Sequence, residues 1–192
     1  MTEITRVLLF MASCVFTHNV VFSRMLGVVE AAKERRFETA LLYGAAVAII
    51  MPLSAVLCWL AQAALVSLHM EYLQIIAFTL AVVVVTWLVQ LCIFKVYPKW
   101  GEALDNCMLP IAANCAVLGL AVINAEAGYG FVDALLSGLF SGLGFLFAVI
   151  LLAGVQEKKE FGKVPDAFQG VPIAMICTGL IALAFAGFKG IL

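Results

Sequence analysis

Six apolar runs occupy most of the chain, at Ile4 to Gly27, Thr39 to Leu68, Tyr72 to Val96, Ala103 to Ala125, Tyr129 to Val155 and Val171 to Phe188. A bilayer's hydrocarbon core is about 30 Å thick and a helix rises about 1.5 Å per residue, so about 20 apolar residues make one crossing. Runs of this kind leave little to face water: 12% of the 192 residues are charged and the mean hydropathy is +1.14. A soluble domain carries about a quarter charged residues. The composition excludes a water-soluble globular enzyme, a nucleic-acid binder and a disordered segment. The balance of 11 basic against 12 acidic residues offers no field for an acidic partner. The expected fold is an all-α integral membrane protein of six transmembrane helices in one membrane domain, with membrane lipid as its main surroundings and no room for a sizeable soluble domain. The first run, within MTEITRVLLFMASCVFTHNVVF, lacks a basic leader and a small-residue cleavage site, so it reads as a membrane helix rather than a signal peptide.

The connectors alternate in charge. Six crossings put connectors one, three and five on one face, where Lys33, Arg35, Arg36, Lys95, Lys99, Lys158, Lys159 and Lys163 collect, with Arg24 near the same end. The other face has only Arg6 and Lys189. Basic side chains are retained in the cytoplasm, so both termini are expected on the extracytoplasmic side of a bacterial or archaeal cell membrane. Tyr72, Tyr97, Trp100 and Tyr129 fall at run ends, where amphipathic rings favour the headgroup layer.

Runs one and four are poorly suited to lie in lipid as plain helices. Run one contains Thr17, His18, Asn19, Ser23 and Arg24; run four contains Asp105, Asn106, Pro110, Asn114 and Cys115. Proline removes a backbone donor, and an asparagine in hydrocarbon needs partners, so Asn19 and Asn114 should face protein or a water-filled cavity. Helices one and four are therefore expected to be broken near mid-membrane. Each opens a three-helix half, 1–98 and 99–192, and an odd number of crossings per half makes the halves inverted repeats, an architecture that places binding sites at mid-depth. The plainer reading is that the two asparagines only join helices by interhelical hydrogen bonds.

Six cysteines, Cys14, Cys58, Cys92, Cys107, Cys115 and Cys177, lie inside or beside the runs with no Cys-x-x-Cys pair, which argues against disulfides and against a zinc site complete within the chain. A membrane cysteine is usually a small apolar packer. Cys115 differs because it follows Asn114, and Cys14 and Cys107 precede the two asparagines. Thiolates at such places could hold an iron–sulfur cluster, whose usual types need four ligands, the remainder coming from a second chain. Gly138 and Gly142 form a G-x-x-x-G spacing that reads as helix packing. No Walker loop, dinucleotide fingerprint or Ser/His/Asp constellation is present, so no complete active site is expected in this chain alone.

LPIAANCAVLGLAVINA (Leu109 to Ala125) resembles the L-P-L-x-x-x-N-C-A-V-L-G segment of the RnfA/NqrE family. NVVFSRMLG (Asn19 to Gly27), FETA (Phe37 to Ala40), EYLQIIAF (Glu71 to Phe78) and VPDAFQGVPIAMICTGLIALAFAGF (Val164 to Phe188) extend the likeness over nearly the whole chain, the last favouring the RnfA branch. The resemblance implies a membrane subunit of an Rnf complex, which moves electrons between ferredoxin and NAD coupled to Na⁺ or H⁺ transport. It further implies a homologous RnfE-like partner, ferredoxin-like, NADH-binding and flavin-bearing subunits, and a [2Fe–2S] cluster shared between broken helices one and four of the two homologues. Cys115 stands where the family's second-half cysteine belongs. The first-half cysteine normally follows Leu-Gly in span one; here the run is G-V-V-E, with Val29 in that place. Valine cannot bind iron. Gln90 stands where an acidic residue is expected in span three, and Asp105-Asn106-Cys107 replaces an apolar triplet; Asp105 and Gln90 are candidates for an ion path. Three readings stay open: Cys14 or Cys107 supplies the missing thiolate, the cluster is differently ligated or absent, or the chain is a divergent paralogue without the redox step. A small secondary transporter or channel on the same inverted repeat, lined by Asn19, Asn114, Asp105 and Gln90, is the alternative from another class.

Overall fold

The structure is a computed structural model; it describes residues 3–17, 19–28, 37–96, 110–159, 165 and 171–187. Among these residues there are seven α-helices and no strand. In chain order they are α1 (Glu3–Ala12), α2 (Val20–Arg24), α3 (Phe37–Ser67), α4 (Gln74–Val96), α5 (Cys115–Glu126), α6 (Phe131–Lys159) and α7 (Val171–Ala186). A π-helical turn, Ser13–Thr17, follows α1, and a 3₁₀ turn, Glu71–Leu73, precedes α4.

Three segments are long and apolar enough to cross a membrane, Phe37–Ser67, Glu71–Lys95 and Phe131–Val155; Pro110–Glu126 and Pro172–Ala186 are shorter apolar helices. The chain is a membrane protein, and its exposed surfaces show why. On α4, Ile76, Leu80, Val83, Val84, Trp87, Leu88 and Leu91 are exposed at helical spacing, while Phe78, Val82, Val85 and Thr86 of the opposite face are buried. On α7, Met175, Ile176, Leu180 and Leu183 are exposed while Ala174 and Thr178 are buried. A soluble helix would place polar residues on the outer stripe; apolar residues all round mark a helix solvated by lipid or protein. Hydroxyls in such helices turn inward to their own backbone: Thr86 donates to the Val82 carbonyl and Thr178 to that of Ala174, each at 2.8 Å.

The described chain divides into two compact units, residues 1–45 with 143–192, and residues 46–142. This division by packing does not follow the midpoint of the sequence.

In the first unit, α2 packs on α7. Phe22 meets Phe185 with ring centroids 4.8 Å apart, and Phe185 also meets Phe147 of α6 at 6.2 Å. The start of α3 packs on the later part of α6: Tyr43 and Phe145 are fully buried with centroids 6.1 Å apart. Gly44 allows this approach, since a Cβ there would lie 2.8 Å from Leu146 Cδ1.

In the second unit, α3 carries Pro52 in its interior, a residue that composition alone does not single out. Proline has no N–H for the carbonyl four residues back, here Ala48. The first part of α6 closes on this place through Gly138 and Gly142. A Cβ at Gly142 would stand 2.9 Å from the Ala48 oxygen, and one at Gly138 would stand 2.7 Å from Pro52 Cα. The G-x-x-x-G pair is thus a helix contact at the proline, as its spacing suggested. Ser54 donates to the Met51 carbonyl at 2.9 Å within the same turn. α4 packs on α5, and Trp59 of α3 stacks edge-on against Phe131 at 5.5 Å.

Candidate functional site: two asparagine-capped helix interruptions

The first interruption separates α1 from α2. After α1 the chain widens into the π-helical turn, then leaves helical geometry at Asn19 (φ −57°, ψ 120°) and re-enters it at Val20. Asn19 is only 1% exposed, and its side chain uses every hydrogen-bonding position an amide offers. Oδ1 accepts from the backbone N–H of Val21 at 3.0 Å and of Phe22 at 3.4 Å, capping donors that a helix start leaves unpaired. Nδ2 donates to the Val15 carbonyl at 3.0 Å, on the other side of the break, and to the Gly144 carbonyl of α6 at 2.9 Å. One amide therefore stitches both sides of the gap and ties them to a neighbouring helix. Gly144 gives it room: a Cβ there would be 3.4 Å from Asn19 Nδ2 and from the Cys14 carbonyl oxygen. α2 then ends on Met25 in the left-handed region (φ 56°), with Leu26 N–H donating to the Val20 carbonyl at 3.2 Å.

The second interruption lies at Ala113 and Asn114, between a helical turn at 110–112 and α5. Asn114 has φ −69° and ψ 114°, is 1% exposed, and accepts from the Ala116 N–H at 2.8 Å through Oδ1. Its own N–H donates to the Ile111 carbonyl at 3.1 Å, and its carbonyl accepts from Val117 N–H at 3.2 Å. The two breaks share one local solution. In each, a buried asparagine in extended geometry caps a new helix, and its backbone angles differ from those of its counterpart by 12° in φ and 6° in ψ. Pro110 sits in the turn before the gap, so the interruption falls four residues beyond it; proline is tolerated in a first helical turn.

The structure sorts the candidate cysteines by accessibility. Cys115 is the first residue of α5 and is exposed. Cys14, in the π-helical turn, is buried at 8% exposure inside the first unit. Gln90 lies half-buried on α4. His18, Val29, Asp105 and Cys107 fall outside the described residues. Among the described residues, no three His, Cys, Asp or Glu side chains come together as a metal site. Sequence reasoning missed Gln62 and Asn124 of the second unit, whose buried Oε1 and Nδ2 atoms have no hydrogen-bond partner; an asparagine and a glutamine near run ends were the only signal.

An exposed thiol at the start of a half-helix suits ligation. Helix N-termini favour anionic groups, and it is the thiolate that binds metal. The exposed position leaves Cys115 open to a neighbouring chain, whereas the enclosed Cys14 sulfur is not.

Buried capped breaks in apolar helices, with lipid-type surfaces around them, define a polytopic membrane protein of the kind that handles ions or electrons within the bilayer. The comparison with known proteins narrows this: residues 7–192 match the family model described as Rnf-Nqr subunit, membrane protein, and the chain belongs to that family. It is 39% identical over 182 residues to the A subunit of the Na⁺-translocating ferredoxin:NAD⁺ oxidoreductase complex of Acetobacterium woodii, covering 94% of this chain and 95% of the relative. It is 39% identical over 186 residues to the A subunit of the ion-translocating oxidoreductase complex of Syntrophotalea carbinolica, covering 96% of each. The protein of the same name from Vibrio vulnificus is 32% identical over 189 residues, covering 97% of this chain and 98% of the relative.

Proposed function

We propose that the chain is the RnfA-type membrane component of an Rnf ion-translocating ferredoxin:NAD oxidoreductase complex, and that it carries one ligand of a [2Fe–2S] cluster shared with a homologous subunit. The single observation that supports the cluster reading is Cys115, exposed on the first turn of a helix that begins inside an apolar segment. Such a cluster, when bound, supplies one-electron transfer between carriers on the two sides of the membrane. This chain's part is to hold one iron through Cys115 Sγ. Asn114 fixes where α5 starts, so it sets the direction of the thiolate. In the first unit, Asn19 shapes the matching break without a cysteine beside it.

The remaining ligands belong to residues outside those described, Cys107 among them, or to the partner. The buried Cys14 fits a packing role better than a shared ligand. Val29, where the family places its first-half cysteine, favours one second reading, a paralogue that keeps the fold and lacks the cluster. The full topology belongs to the proposal too: six crossings as two inverted three-helix repeats, 1–98 and 99–192, in a bacterial or archaeal cell membrane, both termini outside the cytoplasm. The partners on this reading are the RnfE-like homologue and the ferredoxin-like, NADH-binding and flavin-bearing subunits; the ion is Na⁺ or H⁺, with Asp105 and Gln90 candidates for its path.

Electron paramagnetic resonance of the reduced purified complex tests the ligand. The expected result is a [2Fe–2S] signal in the native complex that is lost in Cys115→Ala and retained in Cys14→Ala. A signal unchanged in Cys115→Ala refutes the assignment, and its absence from the native complex selects the cluster-free paralogue.

A further inference from the structure

The second unit holds a cavity of about 530 Å³ that the breaks do not account for. It is enclosed by α3, α4 and α5, and its walls include Cys58, Trp59, Gln62, Phe78 and Asn124. Exposed Val66 and Gly128 mark its mouth, beside the end of α3 and the turn after α5.

Two polar atoms decide what can fill it. Asn124 is 6% exposed; its Oδ1 accepts from Ser137 Oγ at 2.8 Å, which leaves Nδ2 as a buried donor with no partner in the protein. Gln62 Oε1, on a facing wall, is a buried acceptor with none. The indole of Trp59 is already engaged, donating to the Tyr129 carbonyl at 3.1 Å, so it makes no demand of its own. A donor and an acceptor without partners in an apolar helix bundle require a filling that offers both. No charged residue is among the lining residues, so an ion stripped of its hydration shell finds no counter-charge there, and the N–H of Asn124 would face a bare cation unfavourably. Water offers both functions, and at about 30 Å³ per molecule the space admits on the order of ten.

We propose that this cavity is a water-filled vestibule wetted by the Asn124 and Gln62 amides, and that small hydrated solutes enter it from the membrane face opposite the basic connectors. On the function proposed above, on which this last step rests, the hydrated Na⁺ or H⁺ of the complex communicates with the outer aqueous phase through it.

Thiol labelling in intact cells tests the wetting without reference to function. A membrane-impermeant, sulfonated methanethiosulfonate reagent is added outside cells carrying the assembled complex with Ala63→Cys, whose wild-type residue lines the cavity, or with Leu80→Cys, on the exposed apolar stripe of α4. Ala63→Cys is expected to react at least tenfold faster than Leu80→Cys, and adding either Asn124→Leu or Gln62→Leu is expected to slow it at least fivefold by drying the space. Equal rates at the two cysteines overturn the vestibule; fast labelling indifferent to both leucines overturns the part given to the amides. Ion movement by labelled Ala63→Cys complex is expected to fall severalfold against its unlabelled state, and unimpeded movement removes the vestibule from the ion's route. An unlabelled complex that moves neither ions nor electrons counts against the proposed function alone, since the labelling rates stand apart from it.

Discussion

Asn19 does more than cap a helix. Its two donated bonds, to Val15 and to Gly144, tie the break together locally and join it to a residue 125 positions further along the sequence. Asparagine alone among small polar residues supplies two acceptor and two donor positions on one rigid plane. Substitutions separate these roles. Asn19→Ser keeps the cap and loses the donated bonds, at a cost of about 1–3 kcal/mol. Asn19→Asp keeps the cap but turns an oxygen toward two carbonyl oxygens and buries a charge, which costs more than the serine change. Thermal unfolding of the purified complex in detergent should rank wild type above Asn19→Ser above Asn19→Asp; an aspartate variant as stable as wild type would show that the donated bonds do not hold the break. That asparagines mark the breaks was legible in the sequence, because capping is local and a polar amide in an apolar run demands an explanation. The bond to Gly144 was not, since nothing within either segment names a partner so far along the chain. Asn124 and Gln62 escaped for a like reason: they gain meaning only when separate helices enclose a common space.

At the scale of elements, the long helices were plain from their apolar length, but the defect in α3 was not. A proline deep in a membrane helix is tolerable where a neighbour covers the freed carbonyl, and Gly138 and Gly142 give α6 the close approach that does so. The packing sense of G-x-x-x-G was readable from its spacing; the helix it packs on was not. Gly138→Ala and Gly142→Ala should each destabilise the complex by about 1–3 kcal/mol through overpacking against backbone. Gly154→Ala, in the same helix with nothing within 4 Å of the added carbon, should be neutral or stabilising by about 0.5–1 kcal/mol. Unfolding temperatures of the three variants in detergent check this; equal effects would mean that α6 does not close on Pro52.

The whole molecule is organised by charge at its connectors and by two like breaks in its apolar segments. Retention of basic loops in the cytoplasm predicts where the ends lie: alkaline phosphatase fused after Leu192 should be active, and a fluorescent protein that matures only in the cytoplasm should stay dark at that position. The opposite pair of results would overturn six crossings with both ends outside. Packing divides the chain at Ala45/Ala46 and Gly142/Leu143, whereas the proposed repeats divide it near residue 98; repetition is a relation of sequence order, compactness one of contact, and α3 and α6 contribute residues to both units. Family membership was readable from the N-C-A-V-L-G run, and the cluster was not, because Val29 interrupts the ligand pattern that would have announced it.

The central claim is that this chain contributes a metal-binding sulfur at the start of a half-helix. Iron and acid-labile sulfide measured per intact complex test it most directly, comparing wild type with Cys115→Ala under conditions where both assemble fully. A fall of about two iron and two sulfide per complex, the content of one [2Fe–2S] centre, is the result expected; identical content in the two preparations would contradict it.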